Sequence, residues 1–381
     1  MTADTITTLE RVRGIAEEFA SDRAARQQRR NLEKADFDRL ADAGFLLTGV
    51  PAQMGGMWEN PGRTTRPVCE LLRALAHGDS SVALVSSMHP AVLSLWLATP
   101  AAPAPFEQAW QDQRNQAFKW ALDGAWWGTI TSEPGSGGDI AETKAVARLD
   151  PDGRYHISGQ KHFGSGSGIA SYMVTSAVPQ GEDAPDWFFL DMRGIGWAGT
   201  EGAKLIAEWN GHGMIATQSH AFQFQEFPAT RCAWQGNWRP LIEANGGFIG
   251  SCFTAVIVGV LETAVEAAHE QLKRKRGTLR ALEQVEWARA EQEGWLALQA
   301  YEGMLRAMEK TGSAPLDVVR AKTAIAELAE SALRRICMVM GGGVYARHAP
   351  FGFWYEDVRA LGFLRPPWGL AFDRLIDAAT T

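Results

Sequence analysis

Two glycine-dense stretches hold most of the side chains whose types and spacing could do chemistry. The first, Thr131-Ser132-Glu133-Pro134-Gly135-Ser136-Gly137-Gly138-Asp139, sets hydroxyls and backbone amides on a chain that can approach a flat or anionic ligand closely, because glycine has no Cβ. The second, Lys161-His162-Phe163-Gly164-Ser165-Gly166-Ser167-Gly168, adds an aromatic ring and further hydroxyls on another permissive loop. Together they could cradle a ring system. Neither fits a G-x-x-x-x-G-K-[ST] phosphate loop, and no G-x-G-x-x-G lies between a strand and a helix. On spacing alone, two surface turns of a β-structure account for the same residues, since most glycine-rich turns have only geometric duties.

The elements around these stretches fall into three zones. From about Thr5 to Trp120, apolar residues recur at helical spacing, as in Phe37, Leu40 and Phe45 and later Cys69, Leu72 and Leu75, with breaks at junctions such as Pro51 to Gly56. Between about Gly128 and Pro228 the period changes to two. Phe222 and Phe224 alternate with Gln223 and Gln225, and Asp150 to Gly153 reads as a hairpin turn. Three long helical stretches follow, roughly Gly247 to Lys275, Leu282 to Met308 and Pro315 to Met340, whose lengths suit antiparallel neighbours in a bundle. The expected fold class is α+β, with an N-terminal helical domain over residues 1–125, a middle β-barrel domain over 126–235 and a C-terminal four-helix bundle over 236–381.

Bulk properties set limits. The 381 residues suit two or three domains of roughly 100 to 150 residues each. With 46% hydrophobic and 21% charged residues the chain belongs to the globular class. A net charge of -7, with basic residues dispersed apart from one short cluster, gives no footprint for a polyanionic backbone, so nucleic acid is not an expected partner. Cys69, Cys232, Cys252 and Cys337 lie too far apart for a metal or redox spacing and read as reduced core residues. No metal site is expected. The polar start (MTADTITTLERVRG) and the lack of a run of about 18 apolar residues predict no export signal and no membrane span, hence a cytoplasmic location.

The order of motifs resembles the acyl-CoA dehydrogenase superfamily. Its middle domain carries T-E-P-x-A/G-G-S-D and then G-x-K-x-W-I-T-N-G, for which this chain has SEPGSGGD and GQKHFGSGS in the same order and at similar separation. FDRLADAGFLLTGVPAQMGG, EFPATR and GGGVYARHAP followed by Glu356-Asp357 extend the likeness along most of the chain. The resemblance implies the α, β, α fold and a bound FAD, with FMN as the alternative. Thr131 and Ser132 would hydrogen-bond the isoalloxazine, Gly137 and Gly138 would let the backbone approach the cofactor, Phe163 would pack on the ring, and Ser165 would sit near N5. Lys273 and Arg274, in a Lys273-Arg274-Lys275-Arg276-Gly277 segment replacing R-x-x-F-G, would supply charge for a phosphate across a subunit interface. A homodimer or homotetramer is implied.

Departures from the pattern bear on the reaction. The family's base is usually the glutamate of a Y-E-G-T segment, which must reach a proton that is weakly acidic until the thioester carbonyl is polarised. The equivalent stretch here is Leu364-Arg365-Pro366-Pro367, with arginine in place of the acid. A second position used by some relatives falls at Ile249, with Glu243 the nearest acid. Arg365, beside two prolines and Trp368, reads as a packing group or an anion-binding one. Gly138 replaces a serine that often faces the acyl-CoA, and Met338 replaces a glutamine that serves the adenine.

Three readings follow. A flavin-dependent dehydrogenase acting on an acyl-CoA-type thioester is the first, with an electron-transfer flavoprotein as partner. A two-component monooxygenase is the second; it takes reduced flavin from a separate reductase and needs a dry, aromatic-lined pocket and a histidine to manage a proton. His89, on a helix expected to line the site, is the catalytic candidate, with Asn210, His212 and His220 as others. The fifteen tryptophans, among them Trp96, Trp120, Trp126, Trp127, Trp209, Trp354 and Trp368, are compatible with such a pocket. A catalytically silent flavin- or acyl-binding protein is the third reading, and a small molecule is the expected ligand in all three.

Overall fold

The computed structural model describes residues 3–380. Helices α1 (Ala3–Ser21), α2 (Arg23–Arg26), α3 (Lys34–Asp42), α4 (Pro61–Gly78), α5 (Ser80–Leu97) and α6 (Glu107–Leu122) come first. Asn60 starts α4 by accepting the Arg63 amide, with Pro61 at the first helical position, where no amide proton is needed. Asp79 both ends α4 and caps α5, accepting the Val82 amide at 3.0 Å, and it binds Arg26 at 2.8 Å. One acid thus fixes the corner between the two helices.

Seven strands follow among the described residues: β1 (Trp127–Thr129), β2 (Val146–Leu149), β3 (Tyr155–Gly164), β4 (Tyr172–Pro179), β5 (Asp186–Asp191), β6 (Ala203–Ala207) and β7 (His220–Arg231). Pairing runs β2, β3, β7, β5, β4 and returns from β4 to β2, so the path closes on itself. Closure removes the free edges that an open sheet leaves. The expected turn at Asp150 joins β2 to β3, with the Gly153 amide donating to Asp150 O at 3.1 Å. Phe222 and Phe224 face the barrel interior, and Gln223 and Gln225 face out, as the alternation predicts.

The rest of the chain is helical: α7 (Trp238–Glu243), α8 (Phe248–Lys273), α9 (Ala281–Thr311), α10 (Pro315–Met340), α11 (Pro350–Leu361) and α12 (Trp368–Thr380). Helices α8, α9 and α10 pack on one another, and α11 lies against α8 and α10. Helix α4 also packs along α8, close enough that a Cβ at Gly259 would stand 2.5 Å from Arg73 O. The two helical stretches, read separately from the sequence, therefore share one continuous core, while the barrel keeps its own around Ile157, Phe188 and Phe222. The four cysteines are free and buried.

Helices α5 and α8 do reach the length and apolarity of a membrane span, but 94% and 78% of their apolar windows are buried inside the protein. A helix that is apolar all round is what a central core position selects.

Candidate active site

A cavity of about 480 Å3 lies where the barrel meets α5, α8 and the segment joining α11 to α12. Leu84 and Met88 of α5, Phe253 of α8, and Phe363, Leu364, Arg365 and Pro367 form one side. The other side is built from Thr131, Ser132, Gly137, Gly138, Phe163 and Ser165, with Trp209, Met214 and Ser219 from the chain leading into β7. All six residues singled out on the two glycine-rich stretches thus meet at one cavity.

A buried ion pair makes them meet. Lys161, fully buried on β3, donates to Glu133 Oε1 at 2.5 Å and to Ser176 O at 2.6 Å. Glu133 also accepts the Lys144 amide at 2.7 Å and the Ala145 amide at 3.2 Å, which pins both ends of the first glycine loop. Burial pulls the Lys161 ammonium down to about 8, against the upward pull of Glu133. The His162 amide donates to Ser132 O at 2.8 Å, bridging the two stretches directly. Helix α5 closes on the second loop at Gly166, where φ is +77° and a Cβ would stand 2.6 Å from Val85 Cγ1.

The cavity wall carries strain and a hydrogen-bond network. Phe163 and Met214 both adopt left-handed backbone, with φ of 56° and 52°, which non-glycine residues hold only where the surroundings impose it. The Phe163 ring is 57% exposed and meets Trp209 edge-on at 6.0 Å. Trp209 in turn donates its indole N–H to Met214 O at 2.9 Å and its amide to His220 Nδ1 at 2.9 Å. The Met214 amide donates to Asp357 Oδ1 at 2.7 Å, and Ser80 donates to Asp357 Oδ2 at 2.6 Å. Burial pushes the Asp357 carboxyl up to about 6 despite these two donors.

A chain of hydroxyls runs from Met214 to the cavity. Thr217 donates to Met214 O at 2.8 Å, so its oxygen receives the Ser219 proton at 2.7 Å. Ser219 Oγ then receives the Ser165 proton at 2.8 Å. Each hydroxyl has a single proton to give. Ser165 Oγ is therefore left presenting lone pairs to the cavity.

The catalytic histidine expected from the sequence is corrected by the structure. His89 does not line the cavity and is fully buried; Nε2 donates to Leu46 O at 3.0 Å and Nδ1 accepts the Trp127 amide at 3.3 Å. Burial drives its pKa down to about 4, offset in part by the Leu46 carbonyl, so it is a neutral imidazole pinning the chain around Gly49 to α5. Asn210 binds Arg30 at 2.5 Å, His212 is exposed, and His220 holds the Trp209 amide; none of the three lines the cavity. Of the seven tryptophans named, only Trp209 does. Trp120 and Trp127 instead stack on Tyr172, and Trp96, Trp120 and Trp127 meet Phe189 edge-on, between the helices and the barrel. Lys273 and Arg274 are exposed at the end of α8, in no ion pair among the described residues and apart from the cavity lining; the Arg276 side chain lies outside the described part.

Arg365 does line the cavity. Its Nη1 donates to Gly138 O at 2.9 Å and its Nη2 to Thr131 Oγ1 at 2.6 Å. A Cβ on Gly138 would stand 3.1 Å from Pro367 Cγ, so the glycine gives the 364–367 segment room to seat. Glu133 is the only carboxylate among the described lining residues, and Lys161 and two amides occupy it. Glu243 is exposed and outside the lining. Glu133 and Lys161 stand in the two quoted stretches and Asp357 in a quoted motif, but none of the three was assigned a role from the sequence. Lys161 was findable, since it shares the inward face of β3 with Ile157 and an inward lysine needs a partner.

No protein-family profile matches the chain. It is 28% identical over 215 residues to a probable FMNH2-dependent monooxygenase, SfnC, of Pseudomonas putida, covering 56% of this chain and 48% of that protein. It is 24% identical over 354 residues to the amino sugar nitrososynthase DnmZ of Streptomyces peucetius, covering 87% and 82%. The match to the first thus spans about half that relative's length. Among solved structures, a KijD3 in complex with FMN and a dTDP-linked amino keto sugar superimposes with a TM-score of 0.84 at 20% identity over 100% of this chain and 94% of that one. Butyryl-CoA dehydrogenase from Megasphaera elsdenii gives 0.84 at 16% identity over 100% and 99%. The superfamily resemblance read from the motifs holds: the chain has the acyl-CoA dehydrogenase fold.

Proposed function

We propose that the cavity holds a reduced flavin, FMN rather than FAD, and that the protein is a flavin-dependent monooxygenase supplied by a separate reductase. The observation that carries this reading is the lining itself, where a guanidinium stands in place of the expected base and the one carboxylate is occupied by Lys161. Abstraction of an α-proton needs a free base within reach, and oxygen transfer from a reduced flavin does not. The two relatives named above, a probable FMNH2-dependent monooxygenase and a nitrososynthase, support the same choice.

The donor set fits a flavin. The Phe163 ring is exposed at the cavity and positioned to pack on a planar group, Thr131 keeps its own proton to donate because its oxygen accepts from Arg365, and Ser165 offers an acceptor. An acceptor at that point suits the N–H that a reduced isoalloxazine carries at N5, and an oxidised ring has only a lone pair there. When bound, the flavin would supply the electrons that activate oxygen. The protein's part is to orient and to exclude water: Trp209, Phe253, Phe363 and Met88 make the walls apolar, and the Met214 network fixes Ser165.

FMN is preferred because the relatives whose names state a flavin, a probable FMNH2-dependent monooxygenase and a KijD3 solved with FMN, use that form, while Lys273 and Arg274, the residues suited to a second phosphate, lie on the surface. They would serve a cofactor only across an interface with another copy. The exposed Leu282, Val285 and Leu296, at helical spacing on α9, support such self-association.

Labelled dioxygen separates the readings. With reduced FMN and small aromatic, sulfur or amine substrates, the account expects label in the product. Anaerobic bleaching of bound flavin by an acyl-CoA, with no oxygen incorporated, would return the chain to the dehydrogenases.

A further inference from the structure

Arg365 is a cation without a counter-ion. Its two hydrogen bonds, to Gly138 O and Thr131 Oγ1, go to neutral acceptors, and it forms no ion pair among the described residues. A guanidinium has five N–H donors, so three remain for another group. Of the acids nearby, Glu133 is taken by Lys161, and Asp139, whose Oδ1 accepts the Ala141 amide at 2.9 Å, attracts Arg365 without forming an ion pair with it. A charge held against an apolar wall is costly unless something pairs with it. Phe253, Phe363 and Leu364 line the same cavity. Burial lowers its pKa to about 10, with Asp139 pulling weakly the other way, so it stays charged at neutral pH.

We propose that Arg365 is the anion-recognition residue of the cavity, pairing with a carboxylate or phosphate on a ligand whose body is apolar. The planar fork suits a two-oxygen anion better than a point charge does. The assignment rests on the cavity being the reaction chamber proposed above, and it narrows the substrate class to small anionic molecules. A flavin's own phosphate offers the same chemistry, and the test below separates the two sources.

Benzoate and benzamide have nearly the same shape and differ in charge. Their dissociation constants would be measured on the FMN-loaded protein and on Arg365→Met and Arg365→Lys, alongside those of FMN and riboflavin on the unloaded proteins. The expected result is benzoate binding about tenfold or more tighter than benzamide, as one charge-assisted pair supplies. That preference is lost in Arg365→Met and partly kept in Arg365→Lys, and the ratio of FMN to riboflavin affinity is unchanged, since any effect through the Thr131 hydroxyl falls on both flavins alike. If Arg365→Met instead removes a preference for FMN over riboflavin and leaves the benzoid pair untouched, the anion is the flavin's phosphate and the substrate assignment is overturned. Equal binding within both pairs in the wild type, or a preference that survives in Arg365→Met, overturns the anion site altogether. If neither flavin binds but benzoate is still preferred, the flavin reading fails and the anion site stands.

Discussion

Two cations flank the first glycine loop, and they are treated oppositely. Lys161, behind the loop, is fully buried with a carboxylate at 2.5 Å and a carbonyl at 2.6 Å. Arg365, in front of it, has only a carbonyl and a hydroxyl. The first is a closed arrangement that fixes where Thr131, Ser132 and Gly138 stand. The second is open on the side facing the cavity. Paired buried charge serves structure, and unpaired charge at a cavity wall waits for a ligand.

Substitutions at the two cations and their partners separate the two roles. Glu133→Ala strands Lys161 and frees both ends of the loop, so it should cost about 3–5 kcal/mol in chemical denaturation. The double variant Glu133→Gln, Lys161→Met should recover most of that loss, because no uncompensated charge remains. His89→Ala should cost about 2–4 kcal/mol through a buried cavity and two lost backbone hydrogen bonds, with flavin affinity unchanged, since its ring only ties α5 to Leu46 and Trp127.

Asp357 gives a pH-dependent test. Its folded pKa of about 6 lies above the ordinary carboxylate value near 3.9, so ionisation between about pH 4 and 6 is resisted by the fold and stability is lost as pH rises through that window. Asparagine at this position does not titrate. The stability of the wild type relative to Asp357→Asn should therefore fall by roughly 2–3 kcal/mol from pH 4 to pH 7, read from denaturation midpoints. The smallest effect is expected at Arg365: Arg365→Met should change stability by less than about 1 kcal/mol, because relief of an unpaired charge offsets the loss of its hydrogen bonds to Gly138 O and Thr131 Oγ1. A loss as large as that of Glu133→Ala would make Arg365 structural and dissolve the distinction.

Much of this was legible in the sequence. The period-two alternation at Phe222 and Phe224 places barrel residues correctly, and the helix Pro315 to Met340 is found to the residue. The glycine stretches stand out because hydroxyls and aromatics recur where the backbone is permissive, and Thr131, Ser132, Gly137, Gly138, Phe163 and Ser165 do gather at one cavity. His89 misled for a physical reason. Helix α5 is apolar on every side, so periodicity does not tell which face meets the cavity; Met88 points in, and one residue further the helix has turned by about 100°. Asp357, Met214 and Phe253 were hidden because they join the site only through tertiary contacts between elements far apart in the chain. The shared helical core was hidden too, since the contact between α4 and α8 spans the whole barrel in sequence.

Anaerobic titration of the protein with photoreduced and with oxidised FMN shows whether this cavity favours reduced flavin. The fixed polarity of the hydroxyl chain from Met214 to Ser165 predicts that reduced FMN binds about tenfold or more tighter than oxidised FMN, and that Thr217→Val, which lets the Ser219 and Ser165 protons turn, narrows the gap. Equal affinity for the two forms, or tighter binding of oxidised FMN, would contradict it.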